Sequence, residues 1–430
     1  MQTFINPSKE KWAEIIQRPQ IDNASHHDIV SAILLDVKQN GDEAVKKYSF
    51  RFDDVALDEL KVSEKEIEDA VLSITDELKN AILLAKENIE KFHHSQNEEI
   101  KIIETSPGVV CWRKSVAIER VGLYIPGGTA PLFSTLLMLG IPALLAGCKQ
   151  IIVCTPPDKN GKIASGILYV AHLLGLKNIF KIGGIQAIAA MAYGTKSISC
   201  VYKIFGPGNQ YVTTAKQIIS SQGIAIDMPA GPSEIAVYAD ESCHPSYVAS
   251  DLLSQAEHGT DSQVMVVASS KKIIDDIEIE IAIQIKSLSR KNIIVQSLAN
   301  SRFIVLENIN DAFELLNNYA PEHLIIASDN AAVLSERVIN AGSVFLGHYS
   351  AESCGDYASG TNHTLPTNGN ARAYSGVSID SYVKKITFQK VSKEGLEAIG
   401  NAVEVMANAE GLDAHKNAIS IRLKTVANEI

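Results

Sequence analysis

The chain reads as an α/β protein built on parallel sheets in two similar halves, with helical segments at both ends. Three observations predict this. Short apolar, β-branched runs recur with helical stretches between them, the spacing of βαβ units. Several of these runs end in glycine turns that open a helix. The first hundred residues and the last stretch instead place apolar side chains at helical spacing, with charges opposite.

Residues 1–100 are expected to be helical, with 77–86 as the clearest amphipathic stretch. His93 and His94 close that helix and are expected on the surface, because adjacent helical residues point in different directions. From about residue 116 the pattern changes. Strands are expected at 121–125, 151–154, 179–182 and 201–205, ended by Pro126-Gly127-Gly128, Pro156-Pro157, Gly183-Gly184 and Gly206-Pro207-Gly208. Helices are expected at 167–174, 185–193 and 211–220 between and after them. A second set has strands at 234–238, 264–267, 303–306, 324–326 and 343–346. Its helices fall at 245–258, with Gly259 as C-cap, and at 271–286 and 310–319. Helices at 396–410 and 418–428 close the chain.

At 430 residues the chain has room for two or more domains with full cores. A net charge of −11 argues against nucleic acid or an anionic membrane as partner. It does not exclude a dinucleotide, whose phosphates backbone N–H groups hold. Residues 121–148 carry no charge, but Pro126, Gly127, Gly128, Pro131, Gly140 and Pro142 interrupt the run. A strand, a glycine turn and a buried helix explain it better than a membrane span. No basic stretch followed by an apolar one marks the N-terminus as a signal peptide, and the six cysteines are scattered. A reduced, cytoplasmic setting is expected.

The turns at Gly127-Gly128, Gly183-Gly184 and Gly206-Pro207-Gly208-Asn209 each follow a strand, where open α/β sheets bind ligands. The dinucleotide fingerprint is absent, since Tyr211 stands where its last glycine belongs. Gln255 and His258 lie three residues apart on one helix face, and Asp356 and His415 supply further donors suited to zinc or a neighbouring ion. On spacing alone each also reads as an ordinary helix-end, turn or surface residue. Glu322-His323, just before a strand, is a possible acid–base couple or a polar lead-in. Cys354 is the best-placed thiol if an aldehyde were oxidised through a thiohemiacetal.

The stretches 120–128, 204–209, 227–234, 250–259, 321–324 and 355–363 resemble histidinol dehydrogenases. Among them are Ser254-Gln255-Ala256-Glu257-His258-Gly259, Pro321-Glu322-His323-Leu324 and Gly355-Asp356-Tyr357-Ala358-Ser359-Gly360. The resemblance spans the chain and implies two incomplete Rossmann-like parallel-sheet domains with helical extensions. It implies an N-terminal segment at 1–21 packing with the C-terminal tail and a larger α/β domain from 22–123 and 234–375. It also implies an inserted nucleotide-binding domain at 124–233 and a helical tail at 376–430 reaching a partner subunit.

The activity implied is NAD+-linked, zinc-dependent oxidation of L-histidinol to L-histidine through L-histidinal, at the end of histidine biosynthesis. Gln255, His258, Asp356 and His415 would be the Zn2+ ligands, His323 the general base and Glu322 the group activating water. Tyr124, Gln186 and Asn209 would contact NAD. Ser233, His363 and Glu410 would line the substrate pocket together with the ligands and the catalytic pair. The family is an intertwined homodimer, so Glu410 and His415 would serve the site of the other subunit. A zinc hydrolase with the same ligands, a non-catalytic binding protein, and a dehydrogenase of a related amino alcohol are the alternatives.

Overall fold

A computed structural model describes residues 1–18, 23–127, 132–229 and 231–428. Gly128, Pro131, Ala230 and the expected boundary at 21–22 lie outside the described residues. The strands are, in chain order, β1 (Gln2–Ile5), β2 (Ile102–Ser106), β3 (Val109–Ala117), β4 (Arg120–Tyr124), β5 (Gln150–Thr155), β6 (Asn178–Lys181) and β7 (Lys203–Phe205). They continue as β8 (Ala225–Ile226), β9 (Glu234–Ala239), β10 (Gln263–Ala268), β11 (Arg302–Val305), β12 (His323–Ala327), β13 (Ser343–Leu346) and β14 (Val383–Val391). The chain divides into two compact units, Met1–Ser95 with Ile118–Tyr382, and Gln96–Ala117 with Val383–Ile430.

The first unit holds two parallel sheets. One runs β6-β5-β4-β7-β8, the strand order of a dinucleotide-binding sheet that stops one strand short. The other runs β1-β11-β10-β9-β12-β13. Its five chain-consecutive strands repeat the same order, and β1 adds to its edge beside β11. The two halves therefore share one topology, as the sequence pattern predicts. Helices cover the sheets, so β9, β10 and β12 are buried along their whole length. The uncharged run resolves into β4, a turn and the helix Phe133–Ala146, buried from Ser134 to Ala143. Among the described residues no helix is long and apolar enough to cross a membrane.

The second unit is an antiparallel sheet, β14-β3-β2, followed by the helices Lys393–Ala409 and Asp413–Asn428. Ile102, Ile103, Val405, Met406 and Ile421 are exposed on it.

Several expectations need correction. The first hundred residues are not helical throughout, because Gln2–Ile5 pairs in parallel with β11. The C-terminal stretch opens with β14 before its helices. His93 is fully buried and meets Asn362, because its helix carries that face onto the core beside Ile89. His94 alone is exposed. The helix from Pro245 ends at Ala256, and Gly259 is not its left-handed cap, since Glu257 caps it in an ordinary helical conformation.

Candidate active site

His323 is the first residue of β12 and Glu322 immediately precedes it. The helix Ile309–Tyr319 ends in Ala320, a non-glycine residue at φ +52°, which turns the chain sharply into Pro321 and the strand. Register places His323 beside Ile235 of β9, so Glu322 sits level with Glu234. The backbone of Glu234 grips both residues. Its N–H donates to Glu322 Oε2 at 3.0 Å, and its carbonyl oxygen lies 3.3 Å from His323 Nδ1. The Glu234 side chain in turn accepts two hydrogen bonds from Arg18, at 2.6 and 2.8 Å. Arg18 also donates to the carbonyl of Tyr319 at 2.7 Å, so the N-terminal segment clamps the loop that carries Glu322 and His323.

A carbonyl oxygen only accepts, so the proton of neutral His323 belongs on Nδ1. Nε2 is left bare, buried and without a partner, 3.7 Å from Asp356 Oδ1. Burial depresses the His323 pKa to about 3, so the ring is a neutral base at physiological pH. Burial pushes the Glu322 carboxyl well above its ordinary range, although the Glu234 N–H opposes that shift.

The short helix Glu352–Tyr357 brings two more carboxyls to the same place. Glu352 and Asp356 are four residues apart and share a face. Glu352 Oε1 lies 3.3 Å from His323 Nδ1 but makes no hydrogen bond. Burial drives both groups to their neutral forms, so this contact is not a true ion pair. Burial also raises Asp356 to about 7. Gly355 lets this helix lie against Phe345, since a Cβ there would come within 2.7 Å of the ring. Cys354 faces away, exposed, because a residue two positions from both Glu352 and Asp356 falls on the opposite side of the helix. The thiohemiacetal expectation is therefore not supported.

Gln255 is wholly buried, and neither its amide oxygen nor its nitrogen has a partner. Buried amides ordinarily hydrogen-bond, so this one is held ready for something absent from the chain itself. His258 lies past Ala256, where the helix from Pro245 ends, so the expected shared helix face is not formed. It is exposed, yet surrounding protein displaces enough water to lower its pKa. Its charge acts on both His323 and His363, which places the three imidazoles in one neighbourhood. His363 bonds through Nδ1 to the carbonyl of Asp356 at 2.9 Å and through Nε2 to Thr135 at 3.2 Å. That second contact ties the site to the helix following β4. Ser233 is half-buried and directly precedes Glu234.

Amide, imidazole and carboxylate donors fit a divalent cation, which would also relieve the crowding of Glu322, Glu352 and Asp356. Among the described residues, however, no three His, Cys, Asp or Glu side chains group as a metal site. Glu410 and His415 belong to the second unit and are exposed. Of the four expected ligands, Gln255, His258 and Asp356 therefore lie in the first unit and His415 in the second.

The expected nucleotide residues converge on a cleft of about 1370 Å³ at the carboxyl ends of the first sheet's strands. Tyr124 ends β4, and its hydroxyl accepts the Gly184 N–H at 3.1 Å. Gln186 is buried with its whole amide unpartnered, and Thr155 Oγ1 is likewise unpartnered. Asn209 caps the helix Gln210–Ser221 through its side-chain oxygen. A buried pair, Lys216 and Asp227, braces the preceding turn, since Lys216 also donates to the Gly206 carbonyl at 2.8 Å.

A family model described as histidinol dehydrogenase matches residues 16–423. The chain belongs to the histidinol dehydrogenase family. The histidinol dehydrogenase of Bacteroides thetaiotaomicron is 58% identical, over 98% of both chains. That of Mannheimia succiniciproducens is 49% identical over 99% of this chain and 100% of its own. The crystal structure of histidinol dehydrogenase from Elizabethkingia anophelis matches with a TM-score of 0.98 at 55% identity, covering 99% of each chain. The fold expected from the sequence is thereby shared by a histidinol dehydrogenase over nearly its whole length. Sequence reasoning missed Arg18, Glu234 and Glu352. Only Glu352 left a signal, its four-residue spacing from Asp356 on one short helix.

Proposed function

We infer that the chain oxidises L-histidinol to L-histidine through L-histidinal at a zinc centre completed by a second subunit. Family membership makes it an NAD-dependent oxidoreductase acting at the final step of histidine biosynthesis. The observations that carry the fuller reading are the bare, buried Nε2 of His323 and the wholly unpartnered, buried amide of Gln255.

Gln255, His258 and Asp356 would hold the zinc with His415 of the partner subunit. When bound, zinc supplies a Lewis acid that fixes the amino alcohol in one orientation. The dinucleotide supplies the hydride acceptor. His323 takes the hydroxyl proton at Nε2, while Nδ1 stays tied to the Glu234 carbonyl and keeps the ring in place. Glu322 orients the water that adds to the aldehyde. Its burial makes its carboxylate more basic than an exposed one. Once His323 has released that first proton to solvent, it accepts a second from the hydrate as a second hydride passes to a second NAD+.

Ser233 and His363 line the substrate pocket with Glu410 of the partner subunit. Tyr124, Gln186 and Asn209 contact the nucleotide, which makes 124–233 the nucleotide domain and 22–123 with 234–375 the catalytic one. The segments 1–21 and 376–430 are the terminal extensions, the latter reaching the partner. The assembly is a homodimer in which each subunit lends Glu410 and His415 to the other's site. The setting is cytoplasmic.

Supplied with L-histidinal and NAD+, the protein should release L-histidine with one NADH per substrate. Accumulated aldehyde with no NADH would overturn the two-step route. Co-expressed His323→Ala and His415→Ala chains should regain activity as mixed dimers, since one of their two sites is intact. Mixed dimers as inactive as either parent would overturn the shared site.

A further inference from the structure

Asp53 is the last residue of the kinked helix Asn23–Asp53, the end at which the helix dipole disfavours a negative charge. Among the described residues no cation pairs with it. It lines the nucleotide cleft with Tyr124 and Gln186, and its Oδ2 atom is buried without a hydrogen-bond partner. Its charge is close enough to act on the Tyr124 hydroxyl. Burial alone raises its own carboxyl to about 6, so the protein itself gives this anion no compensation.

The same cleft offers phosphates a different place. The helix Ser165–Leu173 begins there with no side-chain cap, flanked by Lys159 and Lys162. A carboxylate repels phosphate and accepts from hydroxyls, so Asp53 marks where a sugar lies. Its helix packs on the first sheet's helices Gly184–Tyr193 and Gln210–Ser221, on the nucleotide half of the unit. The reactive nicotinamide belongs with His323, which leaves the adenosine end for Asp53.

We propose that Asp53 binds the ribose hydroxyls of the adenosine half of the dinucleotide and thereby selects NAD+ over NADP+. This rests on the reading of the cleft as the nucleotide site. A charge-assisted hydrogen bond to a hydroxyl is worth about tenfold in affinity. A 2′-phosphate at the same position would face a like charge.

The test is calorimetric binding of ADP, 2′-deoxy-ADP, NAD+ and NADP+ to the zinc-loaded protein, the Asp53→Asn variant and the Gln186→Ala variant. The protein should bind ADP about tenfold more tightly than 2′-deoxy-ADP, and NAD+ at least tenfold more tightly than NADP+. Asp53→Asn should bind ADP and 2′-deoxy-ADP equally, with 2′-deoxy-ADP affinity unchanged, and should narrow the gap between NAD+ and NADP+. Equal binding of ADP and 2′-deoxy-ADP by the unsubstituted protein, or a preference kept by Asp53→Asn, would overturn the role of Asp53 while leaving the cleft reading intact. NAD+ binding unaffected by Gln186→Ala would overturn the cleft reading itself. The Asp53→Asn fold is checked by its thermal melt, which should not fall, because the change removes an uncompensated buried charge.

Discussion

His323→Ala removes the base while leaving every expected metal donor in place. The neutral ring dominates at pH 7, because burial holds the His323 pKa near 3. The whole enzyme population therefore carries a working base, and its loss should appear in full. A positioned base contributes about 10²–10⁴-fold, or about 3–5.5 kcal/mol of barrier. Zinc content should stay at one per chain, since the nearest donor contact is Asp356 at 3.7 Å and His323 does not support it. The KM for NAD+ should also hold, because Tyr124 and Gln186 belong to the other sheet's cleft. The assay is steady-state NADH absorbance with both substrates saturating, alongside metal analysis of the same sample. Turnover within tenfold of the unsubstituted enzyme would refute the reasoning. So would zinc lost in step with activity, which would make His323 a ligand rather than a base.

Gly342→Ala would bring a Cβ within 2.5 Å of the Glu322 carbonyl oxygen, so backbone beside the catalytic pair must move. Stability should fall by about 1–3 kcal/mol in urea denaturation and turnover should drop with zinc retained. Gln255→Leu should leave the metal-free fold at least as stable, because an unpartnered buried amide becomes apolar, yet the protein should emerge from gel filtration without zinc. Asp251 is buried and its pKa is raised to about 7 by desolvation. Its folded form therefore holds a proton that the unfolded chain releases near 3.8, and the stability this confers is lost as pH rises through about 7. Asp251→Asn should gain on the parent protein by up to roughly 3 kcal/mol between pH 5 and pH 8, measured from urea midpoints in chelator. A difference that does not change with pH would contradict the shift.

The two parallel sheets were legible because their strands are buried on both faces and so read as nearly continuous apolar runs, as in Glu234–Ala239 and His323–Ala327. The antiparallel sheet was not. Ile102–Ser106 and Val383–Val391 are largely exposed, so no alternation between core and solvent marks them, and β3 pairs with β14 across most of the chain length. Gln2–Ile5 is too short to announce itself and takes its strand conformation from β11. In the site, spacing alone could pair Gln255 with His258 but gave Asp356 no claim over any turn residue, and the family motifs made that link. Arg18 and Glu234 left no local trace, because what they do depends on β9 lying beside β12.

The most direct measurement counts NADH formed per L-histidinol consumed, before and after chelation and again after adding zinc back. The account predicts two NADH per histidinol, loss of turnover when the metal is stripped, and recovery with zinc alone. Undiminished turnover in the stripped protein, or a single NADH per substrate, would contradict it.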